Sequence, residues 1–346
     1  MASDKPTFHG GDLSWACRKF GVAKSDFIDL STGISPWTYP CDAIPEAVFR
    51  QLPYNSQQLV DTAAAYYGCA NHEIIISPGS QYAIEHMPQL SQNRKVALPY
   101  WGYQEHRRAW LKSGHRIFSY RSLEHLLAIC NSEKIANVVV INPNNPSAVQ
   151  LNNAALRQIE TLLIQQFNHR YLLVIDEAFK DCQAECSYFL SKLGPGCVVL
   201  RSLGKFFGLA GIRLGFVLCS EPIKARFSGY FGLWLVNGPA LFIAERALRD
   251  KPWIALQHSR IHQNMAQWGQ WLTRHLPQYK HRSMGLFHSV FGEANSLEIL
   301  YTTLARNTLL ARYIQQEGFA YLRFGLPGEH YARCADLIEE ATHELF

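Results

Sequence analysis

The sequence predicts an α/β fold in which a mostly parallel central sheet carries helices on both faces and a smaller α+β C-terminal domain follows. Short apolar, β-branched runs recur between residues 73 and 220, and segments of helix length separate several of them. Such alternation is typical of parallel sheets covered by helices, because their strands are buried on both faces. Beyond about Leu235 the pattern changes to long amphipathic helices with two possible strands, which indicates the smaller domain.

The individual elements follow from these patterns in chain order. A helix is predicted over Ala154–Phe167, because Leu156, Ile159 and Leu163 recur at helical spacing. We expect an N-terminal arm over 1–38, a large domain over 39–234 and a small domain over 235–346. Strands are predicted at Ile74–Ser77, Val96–Pro99, Val138–Asn142, Leu172–Asp176, Val198–Ser202 and Gly215–Leu218, with two more at Phe287–Phe291 and Tyr321–Gly325.

Composition limits the possible functions. The chain has 346 residues, 48% of them hydrophobic, which is enough for a large core. Its net charge of +5 comes without a basic block or an acidic tail, so neither a nucleic-acid nor a membrane partner is expected. No run reaches the roughly 18 apolar residues of a membrane span, and we expect a cytoplasmic protein. The nine irregularly spaced cysteines favour reduced thiols, and no metal site is expected.

Polar residues cluster where the predicted strands of the large domain end. The carboxyl ends of parallel strands line one edge of a sheet, and ligands of α/β proteins bind at that edge. One site could therefore collect all these residues. The four clusters are Gly79-Ser80-Gln81, Asn142–Asn145, Asp176-Glu177 and Ser202–Lys205.

The chemistry of these residues fits an aldehyde cofactor that carries a phosphate. Lys205 lies among apolar and glycine neighbours, where a depressed pKa would help its amine attack an aldehyde. Ser202 and Arg213 could hold a phosphate dianion. Asp176 could keep a pyridine nitrogen protonated, although a helix-capping aspartate is the simpler alternative. Asn145 could meet a cofactor oxygen, although its Asn- and Pro-rich segment also fits a tight turn.

These motifs together resemble the fold-type I enzymes that use pyridoxal-5′-phosphate (PLP), in the subgroup of histidinol-phosphate aminotransferase and threonine-phosphate decarboxylase. Ser202-x-x-Lys205 followed by Arg213-Leu-Gly, Asp176-Glu-Ala-Phe and Asn-Pro-Asn-Asn145-Pro occur in the family's order. The resemblance implies that Lys205 carries PLP as a Schiff base and that Asp176 pairs with the pyridine nitrogen. It further implies that Asn145 meets the ring oxygen. The remaining implied cofactor residues are Gly79, Ser80, Gln81, Ser202 and Arg213 at the phosphate.

Within the subgroup the chain looks more like the decarboxylase branch of cobalamin biosynthesis. His9-Gly-Gly resembles the branch's N-terminal arm, which implies that His9 lies near the substrate phosphate, and the following segment 29–36 implies that Gly33 also meets the substrate. Phe179 stands where most aminotransferases have a tyrosine. The segment 322–328 resembles the branch's carboxylate-binding segment, which implies that Arg323 anchors the substrate.

Three positions remain open or depart from the family pattern. The register of the segment 103–106 puts His106 over the cofactor ring, and Tyr103 is the alternative. Leu52 stands where many relatives have a tyrosine that reaches the partner subunit's cofactor phosphate, and Tyr54 is a possible substitute. Asn237 fits either a site role or none.

The resemblance implies the decarboxylation of L-threonine O-3-phosphate to (R)-1-amino-2-propanol phosphate by a PLP-dependent homodimer. The alternative enzyme is an aminotransferase for a phosphorylated or acidic amino acid. A different class of protein is a non-catalytic module with the PLP fold. The intact Lys205, Asp176 and Arg213 favour an active enzyme over such a module.

Overall fold

The structure is a computed structural model that describes residues 10–54, 56–183, 187–188 and 194–345. The chain divides into two compact units. The small unit consists of Met1–Trp37, Pro146–Ala148 and Ser259–Phe346, and the large unit consists of Thr38–Asn145 and Val149–His258. These units are groups of neighbouring residues, and the domain boundaries predicted from the sequence pattern stay a prediction.

The described residues form thirteen strands and twelve α-helices. The strands are β1 (Ile28–Asp29), β2 (Ile74–Ser77), β3 (Lys95–Pro99), β4 (Arg116–Tyr120), β5 (Asn137–Ile141), β6 (Leu172–Asp176), β7 (Cys197–Ser202), β8 (Gly215–Cys219), β9 (Lys280–Met284), β10 (Phe287–Glu293), β11 (Leu309–Leu310), β12 (Arg312–Gln316) and β13 (Phe319–Gly325). The helices are α1 (Leu13–Phe20), α2 (Glu46–Arg50), α3 (Gln57–Tyr67), α4 (Gly79–His86), α5 (Gln104–Lys112), α6 (Leu123–Glu133), α7 (Asn153–Phe167), α8 (Glu221–Ser228), α9 (Gly238–Arg249), α10 (Lys251–His275), α11 (Ala294–Arg306) and α12 (Tyr331–Leu345).

The large unit contains a seven-stranded sheet in the order β2-β8-β7-β6-β5-β3-β4. Only β8 runs antiparallel to its neighbours, and the other pairs in this sheet are parallel. Every residue of β2, β5, β6, β7 and β8 is buried, as expected of strands covered on both faces. All six strands predicted for this region are confirmed. The edge strand β4 was missed, because its exposed and half-buried residues give no buried apolar run.

The register of β8 assembles one corner of this sheet. Because β8 is antiparallel, its first residue, Gly215, pairs with Ser77 at the end of β2 and with Ser202 at the end of β7. Asp176 ends β6, beside Ile141 at the end of β5. The polar clusters predicted from the sequence therefore follow strands that end at the same edge.

The helix α7 shows how local sequence sets the boundaries of an element. The Asn152 side chain accepts a hydrogen bond of 2.9 Å from the Ala155 N–H, which caps the first turn. Leu156, Ile159 and Leu163 are buried on one face of the helix. The prediction of a helix ending at Phe167 is confirmed, with the start one residue earlier than predicted.

The small unit has an antiparallel sheet in the order β12-β13-β10-β9 and a parallel pair of the short strands β1 and β11. Its core packs residues of α10, α11 and α12 against β10 and β13, with Trp268 and Phe324 fully buried. Both strands predicted for this region are confirmed as parts of β10 and β13. In the described part of the chain, no helix is both long and apolar enough to cross a membrane.

Candidate functional site

An arrangement suited to an anion lies at the amino end of α4 in the large unit. The helix begins at Gly79, whose φ of +70° is left-handed backbone, and no side chain caps its first turn. Its first N–H groups can therefore donate to a bound anion. A Cβ on Gly79 would lie 2.8 Å from Arg213 Nη2, and a Cβ on Gly215 would lie 3.0 Å from the Ser80 nitrogen. The structure thus brings Gly79, Ser80 and Arg213 so close together that a side chain at position 79 or 215 would collide with its neighbours.

Ser202 and Lys205 lie at the end of β7, next to this corner. Ser202 pairs with Gly215 in the sheet, and its Oγ accepts a hydrogen bond of 3.2 Å from the Gly204 N–H. Lys205 is half-buried, and its Nζ lies 5.2 Å from the centroid of the Phe179 ring. Phe179 is buried, so the predicted lysine has an apolar surface beneath its amine.

Asp176 forms a buried pair with His106. His106 Nε2 lies 2.9 Å from Asp176 Oδ2, and both side chains are at most 5% exposed. Because a carboxylate only accepts hydrogen bonds, His106 Nε2 carries the hydrogen. The other carboxylate oxygen accepts a bond of 3.1 Å from the Ala178 N–H. These two contacts fix the orientation of the carboxylate.

Two aromatic residues are candidates for the predicted ring-stacking position. His106 uses its ring edge to bind Asp176, which is the partner expected for the pyridine nitrogen. Stacking by His106 stays a prediction, with Tyr103 as the alternative. The Tyr103 ring lies 6.4 Å from that of His106 at an interplanar angle of 85°, and its hydroxyl donates to Gln81 Oε1 at 3.1 Å. Gln81 therefore contacts the candidate stacking residue and belongs to the first turn of α4.

The Asn-rich segment after β5 is a fixed loop. The Asn142 side chain donates to the Leu151 carbonyl at 2.9 Å and accepts from the Leu151 N–H at 2.8 Å. The Asn144 side chain donates to the Trp101 carbonyl at 2.9 Å. Two of the three asparagines therefore hold the loop, in agreement with the tight-turn interpretation. The third, Asn145, is half-buried and remains the candidate for a ligand contact.

A buried ion-pair network behind these residues was not predicted from the sequence. Arg201 Nη1 donates to Glu177 Oε2 at 2.7 Å, and Arg201 Nη2 contacts Asp181 Oδ1. Burial lowers the pKa of Arg201, but the two carboxylates outweigh burial and raise it above its usual value. The guanidinium also lies 4.8 Å from the centroid of the Tyr67 ring. The network ties the end of β7 to the turn that follows Asp176.

In the small unit, Arg323 lies in the middle of the antiparallel sheet. It is 5% exposed, and its Nη2 donates to the Ser31 carbonyl at 2.5 Å. Asp29 Oδ1 holds the same segment by accepting from the Ser31 N–H at 2.8 Å. Burial and the positive charge of Arg312 lower the pKa of Arg323 to about 9, and Asp29 opposes them. The segment 29–36 and Arg323 are therefore neighbours within this unit.

Arg312 is a candidate that the sequence reasoning missed. It pairs directly with Arg323 across β12 and β13, so both side chains lie on one face of the sheet. The hairpin turn at Glu317 and Gly318 has φ values of +47° and +80°, which are typical of a tight two-residue turn. Recognition of that turn would have fixed the register and placed the two arginines opposite each other.

His9 and Gly33 are the other two residues predicted to bind the substrate. His9 lies outside the described residues, so its role stays a prediction. Gly10, which follows it, packs so closely that a Cβ would collide with the Ser31 carbonyl oxygen. Gly33 is buried in the same unit.

Asn237 caps α9 by accepting from the Ala240 N–H at 2.9 Å, which supports a structural role. Among the described residues, no cluster of three or more histidine, cysteine or acidic side chains is arranged to hold a metal ion.

Comparisons with known proteins agree with this geometry. Residues 43–326 match the model of the family "Aminotransferase class I and II". The threonine-phosphate decarboxylase of Pseudomonas aeruginosa is 34% identical over 94% of both chains, and that of a Sinorhizobium species is 37% identical over 70% of this chain and 72% of its own. The histidinol-phosphate aminotransferase of Sinorhizobium meliloti, solved in complex with PLP, superposes with a TM-score of 0.81 at 18% identity, over 100% of this chain and 99% of its own. The fold-type I resemblance is thereby confirmed, and the chain belongs to the aminotransferase class I and II family.

Proposed function

We propose that this chain is a PLP-dependent decarboxylase that converts L-threonine O-3-phosphate into (R)-1-amino-2-propanol phosphate and CO2 during cobalamin biosynthesis. The observation that carries the proposal is the identity of 34% and 37% to two proteins named threonine-phosphate decarboxylase. A bifunctional protein of adenosylcobalamin biosynthesis from Leptospira interrogans also matches 84% of the chain at 27% identity. The paired arginines of the small unit, buried Arg323 and half-buried Arg312, add support because the substrate carries two anionic groups.

The residues of the large unit fit PLP. The corner formed by Gly79, Ser80 and Arg213 offers backbone N–H groups and a guanidinium to a phosphate, and the glycines at 79 and 215 allow these groups to lie close together without a clash. Ser202 at the end of β7 supplies a hydroxyl to the same group. A residue set with a phosphate corner, an amine and a buried carboxylate is what this cofactor requires.

The protein groups then have separate roles. When bound, PLP supplies a ring that accepts the electron pair released at the substrate α carbon. Asp176 holds the pyridine nitrogen protonated, and His106 orients that carboxylate through the bond of 2.9 Å. Tyr103 covers the ring, and Asn145 donates to the ring oxygen. Lys205 holds the cofactor covalently and later returns a proton to the α carbon.

The small-unit residues bind and orient the substrate in this proposal. Arg323 takes the carboxylate through two parallel N–H bonds, a geometry that a planar guanidinium provides and an ammonium does not. Arg312 adds a second positive charge on the same face of the sheet, which favours a substrate with more than one negative charge. His9 and Gly33 are proposed to meet the substrate phosphate. Orientation of the carboxylate decides whether CO2 or the α proton leaves.

An aminotransferase is the second candidate, because the solved Sinorhizobium meliloti relative and a 27% identical relative from Mannheimia succiniciproducens are named histidinol-phosphate aminotransferases. One experiment separates the two activities. The PLP-loaded protein is given L-threonine phosphate, and CO2 release is measured beside amino transfer to 2-oxoglutarate. We expect CO2 release that greatly exceeds transfer, and loss of both in Lys205→Ala. Transfer without CO2 release would establish the aminotransferase instead.

We further propose that the enzyme is a homodimer. In the large unit, Tyr54 and Trp234 contact each other edge to face with ring centroids 6.0 Å apart. Phe49, Leu52, Tyr54 and Leu233 are each more than half exposed, and such exposed apolar surface typically marks an interface. Sedimentation should give twice the monomer mass of 39.4 kDa. Leu233→Glu should weaken association more than the control Ile299→Glu, because Ile299 is also exposed, at 54%, but lies on α11. A monomer at working concentration would contradict the proposal.

The cellular compartment is proposed to be the cytoplasm. The eight cysteines among the described residues all carry free thiols, and four of these residues are buried. Reduced thiols are typical of cytosolic proteins, because the reducing potential of that compartment maintains them. Fractionation of cells that produce the full chain, followed by detection with a specific antibody, tests this location.

A further inference from the structure

The large unit contains a cavity at the amino ends of its strands. Its volume is about 550 Å³, which lies within the range of small-molecule sites. It opens beside Ala136, which precedes β5, and Leu172, which begins β6. The candidate cofactor residues follow the opposite, carboxyl ends of these strands, so the cavity is separate from them. The lining residues are Leu90–Asn93, Ala136, Phe167, His169–Leu172 and Arg226.

The charged residues that line this cavity are all basic. Three of the lining residues, His169, Arg170 and Arg226, are basic, and none is acidic. Within the described part of the chain, none of these three side chains makes a hydrogen bond or an ion pair. Arginines on a protein surface commonly have carboxylate neighbours, and here the positive charges face the same space without one. The arrangement favours an anion, because two guanidinium groups provide planar donor pairs that match phosphate oxygens.

Two carboxylates on neighbouring elements, Glu133 and Glu160, already have other partners. Glu133 accepts from Lys95 Nζ at 3.4 Å. Glu160 is buried and accepts bonds from the Tyr171 hydroxyl at 3.3 Å and the Tyr188 hydroxyl at 2.7 Å. Neither carboxylate is therefore available to neutralise the two arginines.

One wall of the cavity is preformed. The Asn93 N–H donates to Ser91 Oγ at 3.1 Å, and Asn93 Oδ1 accepts from the Lys95 N–H at 2.9 Å. The Asn137 side chain donates to the Asn93 carbonyl at 2.9 Å, which ties this loop to β5. Apolar groups of Phe167 and Leu172 line the cavity as well. A ligand with an organic part as well as anionic groups fits these surroundings.

We propose that this cavity is a second binding site, which takes a small phosphorylated molecule with at least two negative charges. Arg170 and Arg226 contact its phosphate oxygens, and the loop from Ser91 to Asn93 lines the other side. The site is independent of the proposed decarboxylation, and its occupant does not compete with the substrate.

Calorimetric titration of the PLP-loaded protein with inorganic pyrophosphate, at constant ionic strength, tests the proposal. PLP occupies the cofactor corner in this form, and saturating L-threonine phosphate is added in a parallel titration to fill the substrate site. We expect saturable binding of one pyrophosphate per chain in both titrations. Arg170→Gln/Arg226→Gln should weaken binding at least tenfold and leave the rate of CO2 release unchanged, because both residues lie outside the candidate active site.

The matched control is Lys251→Gln/Arg260→Gln, which also removes two exposed positive charges, from α10. This variant should bind pyrophosphate like the unmodified protein. The proposal is overturned if the two double variants lose affinity equally, if L-threonine phosphate displaces pyrophosphate, or if no saturable binding occurs. If L-threonine phosphate proves not to be a substrate, the comparison of the two variants still decides whether the site exists.

Discussion

Arg201 in the large unit and Arg323 in the small unit are both buried arginines, and the charges around them are opposite. Arg201 is 4% exposed and is held by the carboxylates of Glu177 and Asp181, which raise its pKa. Arg323 is 5% exposed, donates to the neutral Ser31 carbonyl and lies beside a second arginine, and its pKa is lowered to about 9. A buried cation whose charge is balanced by the protein stabilises the fold, whereas one beside a like charge gains most from an anionic ligand. The first arrangement is structural, and we interpret the second as a substrate site.

The largest effect is expected for Arg201→Met, which leaves two carboxylates buried without their cation. Breaking a buried ion pair from one side costs about 3 to 5 kcal/mol. The matched control is Arg50→Met, because Arg50 also lies 2.7 Å from its carboxylate partner, Glu46, but both side chains are more than 70% exposed. That change should cost less than about 1 kcal/mol. Urea unfolding of the PLP-loaded proteins measures both values, and equal losses would remove the basis of the comparison.

Arg323→Lys should impair binding more than folding. Lysine keeps the charge but cannot offer two parallel N–H groups to a carboxylate, so about 1.5 to 3 kcal/mol of transition-state stabilisation is lost, a roughly 10- to 150-fold fall in kcat/KM. The control Arg306→Lys changes an exposed arginine of the same unit and should have little effect. Steady-state kinetics are compared with urea unfolding of the same proteins. If Arg323→Lys lowers stability as much as Arg201→Met and leaves kcat/KM intact, Arg323 is structural.

The smallest effect is a shift in pH dependence in Arg312→Gln. The charge of Arg312 lowers the pKa of Arg323, so its removal should raise that pKa. Substrate binding requires charged Arg323 and weakens as pH rises through about 9, so the alkaline rise in KM should move to higher pH in the variant. Arg282→Gln is the control, since Arg282 lies in the same row of the sheet but on β9, two strands from Arg323. KM profiles from pH 7 to 10 measure the shift, and a shift to lower pH would contradict the proposed coupling.

The sequence predicted those parts of the molecule that depend on local pattern. The buried strands of the large unit were found because continuous apolar runs with polar residues at their ends are distinctive. Asp176 and Lys205 became candidate site residues because they end or follow such runs, and their roles stay predictions. The contact of His106 with Asp176 was not found, because it joins residues 70 positions apart and depends on the packing of α5. His106 was assigned to the ring-stacking position from the alignment of the segment 103–106 alone, and an alignment does not show where a side chain points.

The surroundings of Arg201 and of Arg323 show which charge contacts can be predicted from the sequence. Arg201 precedes Lys205 by four residues, but nothing in the sequence indicates that Glu177 and Asp181 surround it. Arg312 needed only the hairpin register, which the turn at Glu317 and Gly318 encodes. Long-range pairing of buried charges therefore could not be predicted, whereas the pairing across a tight hairpin could have been.

The most direct test of the account is the identification of the residue that binds the cofactor. The PLP-loaded protein is reduced with borohydride, digested and analysed by mass spectrometry, with the buried Lys180 as an internal comparison. We predict a pyridoxyl-phosphate group on the peptide that contains Lys205 and none on the peptide that contains Lys180. Full CO2 release by the Lys205→Ala variant, or the modification on another lysine, would contradict the assignment of Lys205.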